Sequence, residues 1–576
     1  MTDQFLVAGI DFGTTYSGWS YSFKHEFDLN PTNVATKHWH GEQLVSSKAP
    51  TCVLIEPDGK TFSAFGNDAE TKYSQLAGNP AICQKWYFFR RFKMKLYNKT
   101  IKREMEIEDE TGKKVKATTV FAVAICYLKN DFLSIINDRI SGVINPAEIV
   151  WVLTVPAIWD DGAKQFMREA AVEAGIPAEK LTIALEPESA SIYCRNLQLE
   201  RSGGEHTLST LKSGTKFLVV DAGGGTVDIT VQEITTNGAM KNIYKASGGD
   251  WGGTKVDDAY IKFLADVVGN ETLLEYKRTH MEDYLYLISD FEVKKRAVNL
   301  LQSNITVTLR ISVTLSELVQ KIKGKTLEDL LKESQHSSEV SLSRDKLKFE
   351  IGFFVTFFKP QIDSIIDHVS GIVEQQNVSE IEAIVLVGGF SKCLLLQQAF
   401  KSKFKSFKII VPNDGDLAVL KGAVIFGHKP ELISQRVSRY TYGVESLFPF
   451  IENVHKESYK VICEDGKPGC EHLFDKHITS GQYLDVGEAQ VKQVYTPSTS
   501  WQTYMPFPVY CTLDQNPMYT TDDGCHYAGT LTVPFEGSGL DREVDVRMIY
   551  GGTEIEVEAT EVATGKVHRI KVDFLS

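Results

Sequence analysis

Phe217-Leu218-Val219-Val220-Asp221-Ala222-Gly223-Gly224-Gly225-Thr226-Val227-Asp228 is the stretch that decides the fold. Its four apolar residues read as a buried strand. The strand empties into three consecutive glycines, with a carboxylate before them and a hydroxyl after them. Glycines lack Cβ atoms, so backbone N–H groups in such a turn can close on phosphoryl oxygens. Asp221 and Asp228 are then suited to hold a hydrated Mg²⁺ or to orient an attacking water. A glycine run alone is weak evidence, because many loops carry one.

A second copy of the same logic stands near the start of the chain. Val7-Ala8-Gly9-Ile10 delivers Asp11, then Phe12 and Gly13 at a tight turn, then Thr14, Thr15, Tyr16 and Ser17. Gly18 to Phe23 alternates as a returning strand does. Either hairpin alone is explained by ordinary turn chemistry; both together point to two similar half-domains facing each other across one nucleotide. A third element fits the pattern. The apolar strand Ile384-Val385-Leu386-Val387 turns at Gly388-Gly389-Phe390-Ser391-Lys392 into a helix, a place where backbone can approach a ligand closely. Asp414-Gly415-Asp416 then opens a small-residue helix, for which, taken alone, ordinary packing is the better explanation.

These segments resemble the sugar kinase, actin and seventy-kilodalton heat-shock superfamily, and most of all its heat-shock branch. The resemblance runs from about Phe5 to Pro430 in the family's motif order. Thr154-Val155-Pro156-Ala157 is similar to the family's connecting strand, and Glu186-Pro187-Glu188-Ser189-Ala190 to a helix start. Gly248-Gly249-Asp250-Trp251-Gly252-Gly253 is similar to its glycine turn, and Glu292-Val293-Lys294-Lys295-Arg296-Ala297-Val298-Asn299 to its base-binding helix. Without the family, that last helix reads as a solvated charged face.

The resemblance implies a site. Asp11, Glu186 and Asp221 match carboxylates that hold hydrated Mg²⁺, with Asp228 a fourth acid near the water and monovalent-ion (K⁺) sites. Gly13, Thr14, Thr15 and Tyr16 match the first phosphate loop; Gly223, Gly224, Gly225 and Thr226 match the second. Glu292, Lys295, Arg296 and Asn299 face the base and ribose, together with Gly249, Gly388, Gly389, Phe390 and Asp416. The family's catalytic lysine falls in Trp86 to Lys95, where the register leaves Lys93, Arg91 or neither of them to reach the γ-phosphate. Phe390, Lys392 and Asn299 depart from the family pattern, so ATP and ADP binding is better supported than rapid hydrolysis.

Fold class and composition agree. The expectation is an α/β, two-lobed, ribonuclease-H-like (actin-like) ATPase domain over residues 1–430. Its first lobe spans about 1–200, its second about 210–390, with a return to the first lobe at 391–430. A chain of 576 residues exceeds one compact core at about 150 residues per domain. Hydrophobic residues make up 43% and charged ones 24%, as in globular proteins. The net charge of −13 argues against a broad nucleic-acid surface. Nine cysteines without a CxxC pair read as reduced thiols; Cys463 with Cys470, or Cys511 with Cys525, are alternatives for a disulfide or metal, but their loose spacing without histidine pairs favours free thiols. No targeting segment precedes the first strand, and no apolar run approaches the roughly 18 residues of a membrane span. A cytosolic (cytoplasmic) location is expected. Lys323 to Lys348 reads as an exposed helix and loop.

Residues 431–576 change character, with alternating Tyr, Val and Thr. Glu543 to Tyr550, Gly551-Gly552 and Thr553 to Ala559 form a hairpin, and Lys566 to Phe574 a last strand after Thr564-Gly565. This resembles, more weakly, the family's peptide-clamping β-sandwich. The family's acidic leucine linker is replaced by Ser434 to Arg439, and its helical lid is absent, features similar to the divergent twelfth branch. The leading function is a slow ATP-driven chaperone-like switch holding a protein segment, with a nucleotide-exchange partner implied by the resemblance. The alternatives are a nucleotide-gated signalling or recognition protein and a small-molecule kinase.

Overall fold

The two acid–glycine hairpins are built alike. Leu6–Phe12 turns back antiparallel as Tyr16–Phe23, setting Asp11 opposite Gly18. Lys216–Ala222 turns back as Val227–Ile234, setting Asp221 opposite Asp228. Each leading strand also has a parallel neighbour: Ile149–Val155 beside Leu6–Phe12, and Ile381–Val387 beside Lys216–Ala222. The computed structural model describes residues 5–40, 45–140, 142–197, 208, 211–298, 306–378, 380–534, 537–550, 555–571 and 573–575.

The first hairpin anchors a six-stranded sheet and the second a seven-stranded one. Side chains alternate across each sheet. Val7 and Val152 of the first and Phe217, Val219 and Val385 of the second face a shared core containing helices Glu186–Asn196 and Ala418–His428. Leu6, Ala8 and Ile10 face the core beneath helices Ala117–Ile140 and Asp161–Glu173. The helix Ala418–His428 is rich in small residues because it crosses Glu186–Asn196 closely: a Cβ on Gly422 would collide with the Ser189 carbonyl. This close crossing joins the two halves behind the cleft. It is the α/β, actin-like architecture that the resemblance implies.

Two expectations are corrected. Residues 323–348 are not simply an exposed helix and loop. Leu327 and Leu331 of helix Leu327–Glu333, Val340 of strand Val340–Ser343, and Leu347 of Lys346–Glu350 are buried. Their apolar residues recur every four positions on the helix and every second position on the strand, a signal diluted by the surrounding lysines. The helix Ala117–Ile140 does have the length and composition of a membrane span, but Phe121, Ile125, Leu128 and Phe132 pack in the first core. Its buried Lys129 donates to the Ala174 carbonyl at 2.6 Å. In the segment that replaces the family's linker, Ile433–Val437 adds to the second sheet beside Met240–Gly249, and Tyr483–Asp485 adds beyond it.

Past that strand, a five-stranded sheet containing Thr441–Pro449 and Tyr504–Thr512 faces a four-stranded sheet containing Val544–Tyr550 and Ile555–Glu561. Val444, Phe507, Val509, Val546, Met548 and Val557 fill the space between them. The hairpin pairs Val544 with Glu561 through Tyr550 with Ile555, while its Gly551-Gly552 turn lies outside the described residues. Val567–Lys571 follows as the last strand, after Gly565 at φ 70°. The unit continues from the second sheet through Ile433–Val437 and is docked on the first half by side-chain contacts. Arg436 forks onto Glu188 at 2.8 and 2.6 Å, Tyr442 donates to Asp161, and Arg439 donates to the Ile158 carbonyl. Near the end of the chain, Arg103 holds Asp573 at 2.8 Å and Leu575 is buried in the first core. All nine cysteines are free thiols, and none of the loosely spaced pairs forms a disulfide.

Candidate functional site

Both hairpins end at one cavity of 310 Å³. Asp11, Gly13, Thr14, Thr15 and Tyr16 line it from the first hairpin, and Asp221, Gly223, Gly224, Gly225 and Thr226 from the second. Lys93 and Glu186 form its floor; Glu292, Lys295 and Arg296 come from helix Met281–Ala297, and Gly388, Gly389, Phe390 and Asp416 from the two turns. Two expected residues stand behind the wall. Asp228 is 1% exposed, and Gly249 pairs with Val227 and packs against Trp251. Asn299 lies outside the described residues.

The second loop is held from behind. The amides of Gly252, Gly253 and Thr254 donate to the carbonyls of Gly225, Gly223 and Gly224 at 3.0, 3.1 and 2.8 Å. The Gly224 and Gly225 amides have no acceptor among the described residues, and both residues line the cavity. Paired amides of this kind suit an anion. At the third turn Gly388 has φ 86°, and a Cβ there would strike Asp221 Oδ1 and the Ala222 carbonyl. Only glycine brings the chain this close to the carboxylate.

The basic residues separate cleanly. Lys93 is 2% exposed and its Nζ lies 2.6 Å from Glu186 Oε1. Arg91 turns away to Asp257 Oδ2 at 2.6 Å and lines a neighbouring 440 Å³ cavity instead. Glu292 and Lys295 do share a helical face, 2.5 Å apart, and Lys295 also reaches Asp257 Oδ1 at 2.6 Å. Arg296 is braced by Glu292 at 2.8 Å, with its guanidinium 4.8 Å over the Tyr16 ring.

Concentrated charge shifts the acids. Burial pushes Asp221 well above the ordinary carboxylate range, reinforced by Glu186, Asp228 and Asp11. Burial likewise raises Glu186 to about 7, with Lys93 opposing and Asp11 and Asp228 adding to the rise. Asp228 is raised by burial, against the hydrogen bonds from the Ile158 amide at 3.0 Å and from Thr226. Glu292 goes the other way: burial is outweighed by Lys295 and Arg296, which hold it down to about 2.

Asp11, Glu186 and Asp221 offer hard oxygen donors of the kind Mg²⁺ takes. Among the described residues no three acids converge into a direct cage, so these carboxylates would hold the ion through water.

One cavity residue carries no sequence signal. Lys48 Nζ lies 2.5 Å from Asp11 Oδ2 and 2.9 Å from the Asp416 carbonyl. Burial disfavours its charge, but Asp11, Asp416 and Asp221 hold its pKa above the usual lysine value. The Ser47-Lys48 bend contains no motif; it is brought here by the pairing of Ala49–Pro50 with Tyr16 and Ser17 after it and of Ser46 with Trp39 before it.

Two acid–glycine hairpins around one cavity, on twin sheets joined by crossed helices, define a nucleotide-binding protein of the actin-like class. The chain belongs to the Hsp70 family: the family model for the Hsp70 protein matches residues 84–457. It is 35% identical to mouse heat shock 70 kDa protein 12A, over 99% of this chain and 92% of that protein. It is 32% identical to human heat shock 70 kDa protein 12B, over 99% of this chain and 91% of that one. The chaperone protein DnaK of Picrophilus torridus is 22% identical over 58% of this chain and 48% of its own length. The likeness to the divergent twelfth branch is therefore near full length, whereas the likeness to DnaK is partial.

Proposed function

We propose that the chain is a slow ATP-hydrolysing switch, in which the nucleotide held between the hairpins sets how the C-terminal β-unit holds a protein segment. The convergence of both glycine loops, Lys93 and the Glu292–Arg296 face on one cavity carries this reading. Phosphoryl transfer asks a protein mainly to position a water and to neutralise charge. In this reading the amides of Gly224 and Gly225 receive phosphoryl oxygens, and Lys93 supplies the basic group on the transferring phosphate. Asp228, fixed by the Ile158 amide, orients water beneath Thr226. Asp221, which has no ion-pair partner among the described residues, would be the main holder of Mg²⁺ through water, with Asp11 and Glu186 paired to Lys48 and Lys93 beside it, and the ion would add charge neutralisation. Arg296 presents its guanidinium plane to the base.

The link to the β-unit runs through residues already in contact. Ile158 donates its amide to Asp228 and accepts from Arg439, so a shift at the phosphate reaches the first residues of the β-unit. A cytosolic setting belongs to the same proposal, supported by nine unpaired thiols.

Gly224→Val tests the site. A Cβ there already collides with the Thr15 hydroxyl, so ATP and ADP affinity should fall at least about tenfold, or 1.4 kcal/mol, by calorimetry. Unchanged affinity would place the nucleotide elsewhere. Stimulation of ATP turnover by extended apolar peptides would favour the chaperone-like switch; indifference to them would favour a signalling module.

A further inference from the structure

Lys48 gives the phosphate cavity a cation of its own. Its side chain is 15% exposed, and Asp11 beside it is 6% exposed. The lysine stem passes over Gly18, where a Cβ would meet Lys48 Cγ at 3.1 Å. Its ammonium joins two elements, the end of strand Leu6–Phe12 and the turn Gly415–Leu417. Each Asp11 oxygen then already has a donor within the chain: Oδ2 accepts from Lys48, and Oδ1 accepts from Thr154 Oγ1 at 3.0 Å. Glu186 is likewise paired with Lys93 at 2.6 Å. Among the described residues Asp221 alone of the three acids has no ion-pair partner. The cavity therefore holds two ammonium groups next to the carboxylates where an ion would be expected to provide the charge.

We propose that Lys48 performs at Asp11 the charge-neutralising role otherwise taken by a divalent cation, and contacts the nucleotide's phosphates, so that ADP binds this chain with only weak dependence on Mg²⁺. The inference rests on the nucleotide reading above. An ammonium at 2.5 Å from a buried carboxylate makes a charge-assisted hydrogen bond, which does not require an ion's hydration shell to be rebuilt. Lys48 lines the same cavity as Asp11 and the two glycine loops, so phosphate oxygens held there lie within reach of its ammonium. Removing one hydrogen bond to a charged group costs about 10- to 150-fold in affinity.

The test is ADP titration calorimetry on the full chain, in excess Mg²⁺ and in excess EDTA, for wild type, Lys48→Met and Lys48→Arg. Wild-type affinity should change by less than about tenfold between the two buffers. Lys48→Met should bind ADP about 10- to 150-fold more weakly in EDTA and regain much of that loss with Mg²⁺, while Lys48→Arg should follow the wild type. A wild type that loses more than about a hundredfold in EDTA, or a Lys48→Met with the wild-type ratio, overturns the proposal. The wild-type ratio decides the matter even if Lys48→Met fails to fold. ADP binding with a steep Mg²⁺ dependence would sink this inference alone; no ADP binding in either buffer would sink the nucleotide reading with it.

Discussion

Replacing Arg436 by Met should loosen the whole assembly, because one buried ion pair ties three parts of the chain. Arg436 belongs to the strand that leads into the β-unit, Glu188 to the helix beneath the phosphate cavity, and Asn242 to the second sheet. The two charged side chains are 3% and 2% exposed. Arg436 donates twice to Glu188, and Asn242 Nδ2 donates to Glu188 Oε1 at 2.8 Å. Without the arginine, a buried carboxylate keeps one neutral donor, a situation that costs about 3–5 kcal/mol. The strand itself offers little compensation, since its pairing with Met240–Gly249 is limited to Met240 with Ile433 and Lys241 with Gln435. Hydrogen exchange reads the effect directly. Amides in 433–437 and 240–243 should lose about 150-fold or more of protection, the equivalent of about 3 kcal/mol. Adding Glu188→Gln should restore at least about 2 kcal/mol, because the uncharged amide no longer requires a cation. A loss below about 1 kcal/mol, or a double variant as damaged as the single one, would refute the reasoning.

Other outcomes follow from particular contacts. His428 is buried, stacked 4.3 Å from Phe27 and bonded to Ser22 at 2.9 Å, and burial pushes its pKa down to about 4. It is neutral in the folded chain, so its contribution is complete above the unfolded value of about 6.5 and is lost as pH falls from there towards about 4. At pH 5 the loss should be about 2 kcal/mol in urea midpoints, and His428→Gln should remove that slope; an unchanged slope would exclude the histidine as its source. Leu575→Ala should detach the C-terminal segment from helix Asp161–Glu173 at a cost of about 2–4 kcal/mol, because Leu575 is 2% exposed. Asp573→Ala should cost about 1 kcal/mol or less, since its pair with Arg103 is roughly 40% exposed on both sides. Exchange protection in residues 161–173 that is lost more in the second variant than in the first would reverse that ranking.

The local part of the site is legible in the sequence. A strand, an acid and a glycine turn are adjacent along the chain, so Asp11 and Asp221 announce themselves, and the helical spacing of Glu292 and Lys295 predicts their common face. Lys93 and Arg91 are two residues apart, and only the tertiary fold distinguishes the lysine facing Glu186 from the arginine facing Asp257. Lys48 is out of reach for the same reason, being placed by a short strand pairing within a polar stretch. The helix Ala117–Ile140 hides its length because Lys129, Asn130 and Asp131 interrupt the apolar count. Asp131 in fact accepts from Trp19 at 2.8 Å and from Lys37 at 2.7 Å. The docking of the β-unit through Arg436 and Leu575 depends on partners hundreds of residues away, which no local pattern records.

Single-turnover conversion of ATP to ADP tests the central claim most directly, with wild type, Lys93→Met, Asp221→Asn and Thr226→Val compared alongside the nucleotide affinity of each. The expected result is slow conversion by the wild type, with each substitution reducing the rate by a larger factor than it weakens binding. Tight ATP binding with no wild-type turnover above the three variants would contradict it, and would leave a nucleotide-gated scaffold in place of an ATPase switch.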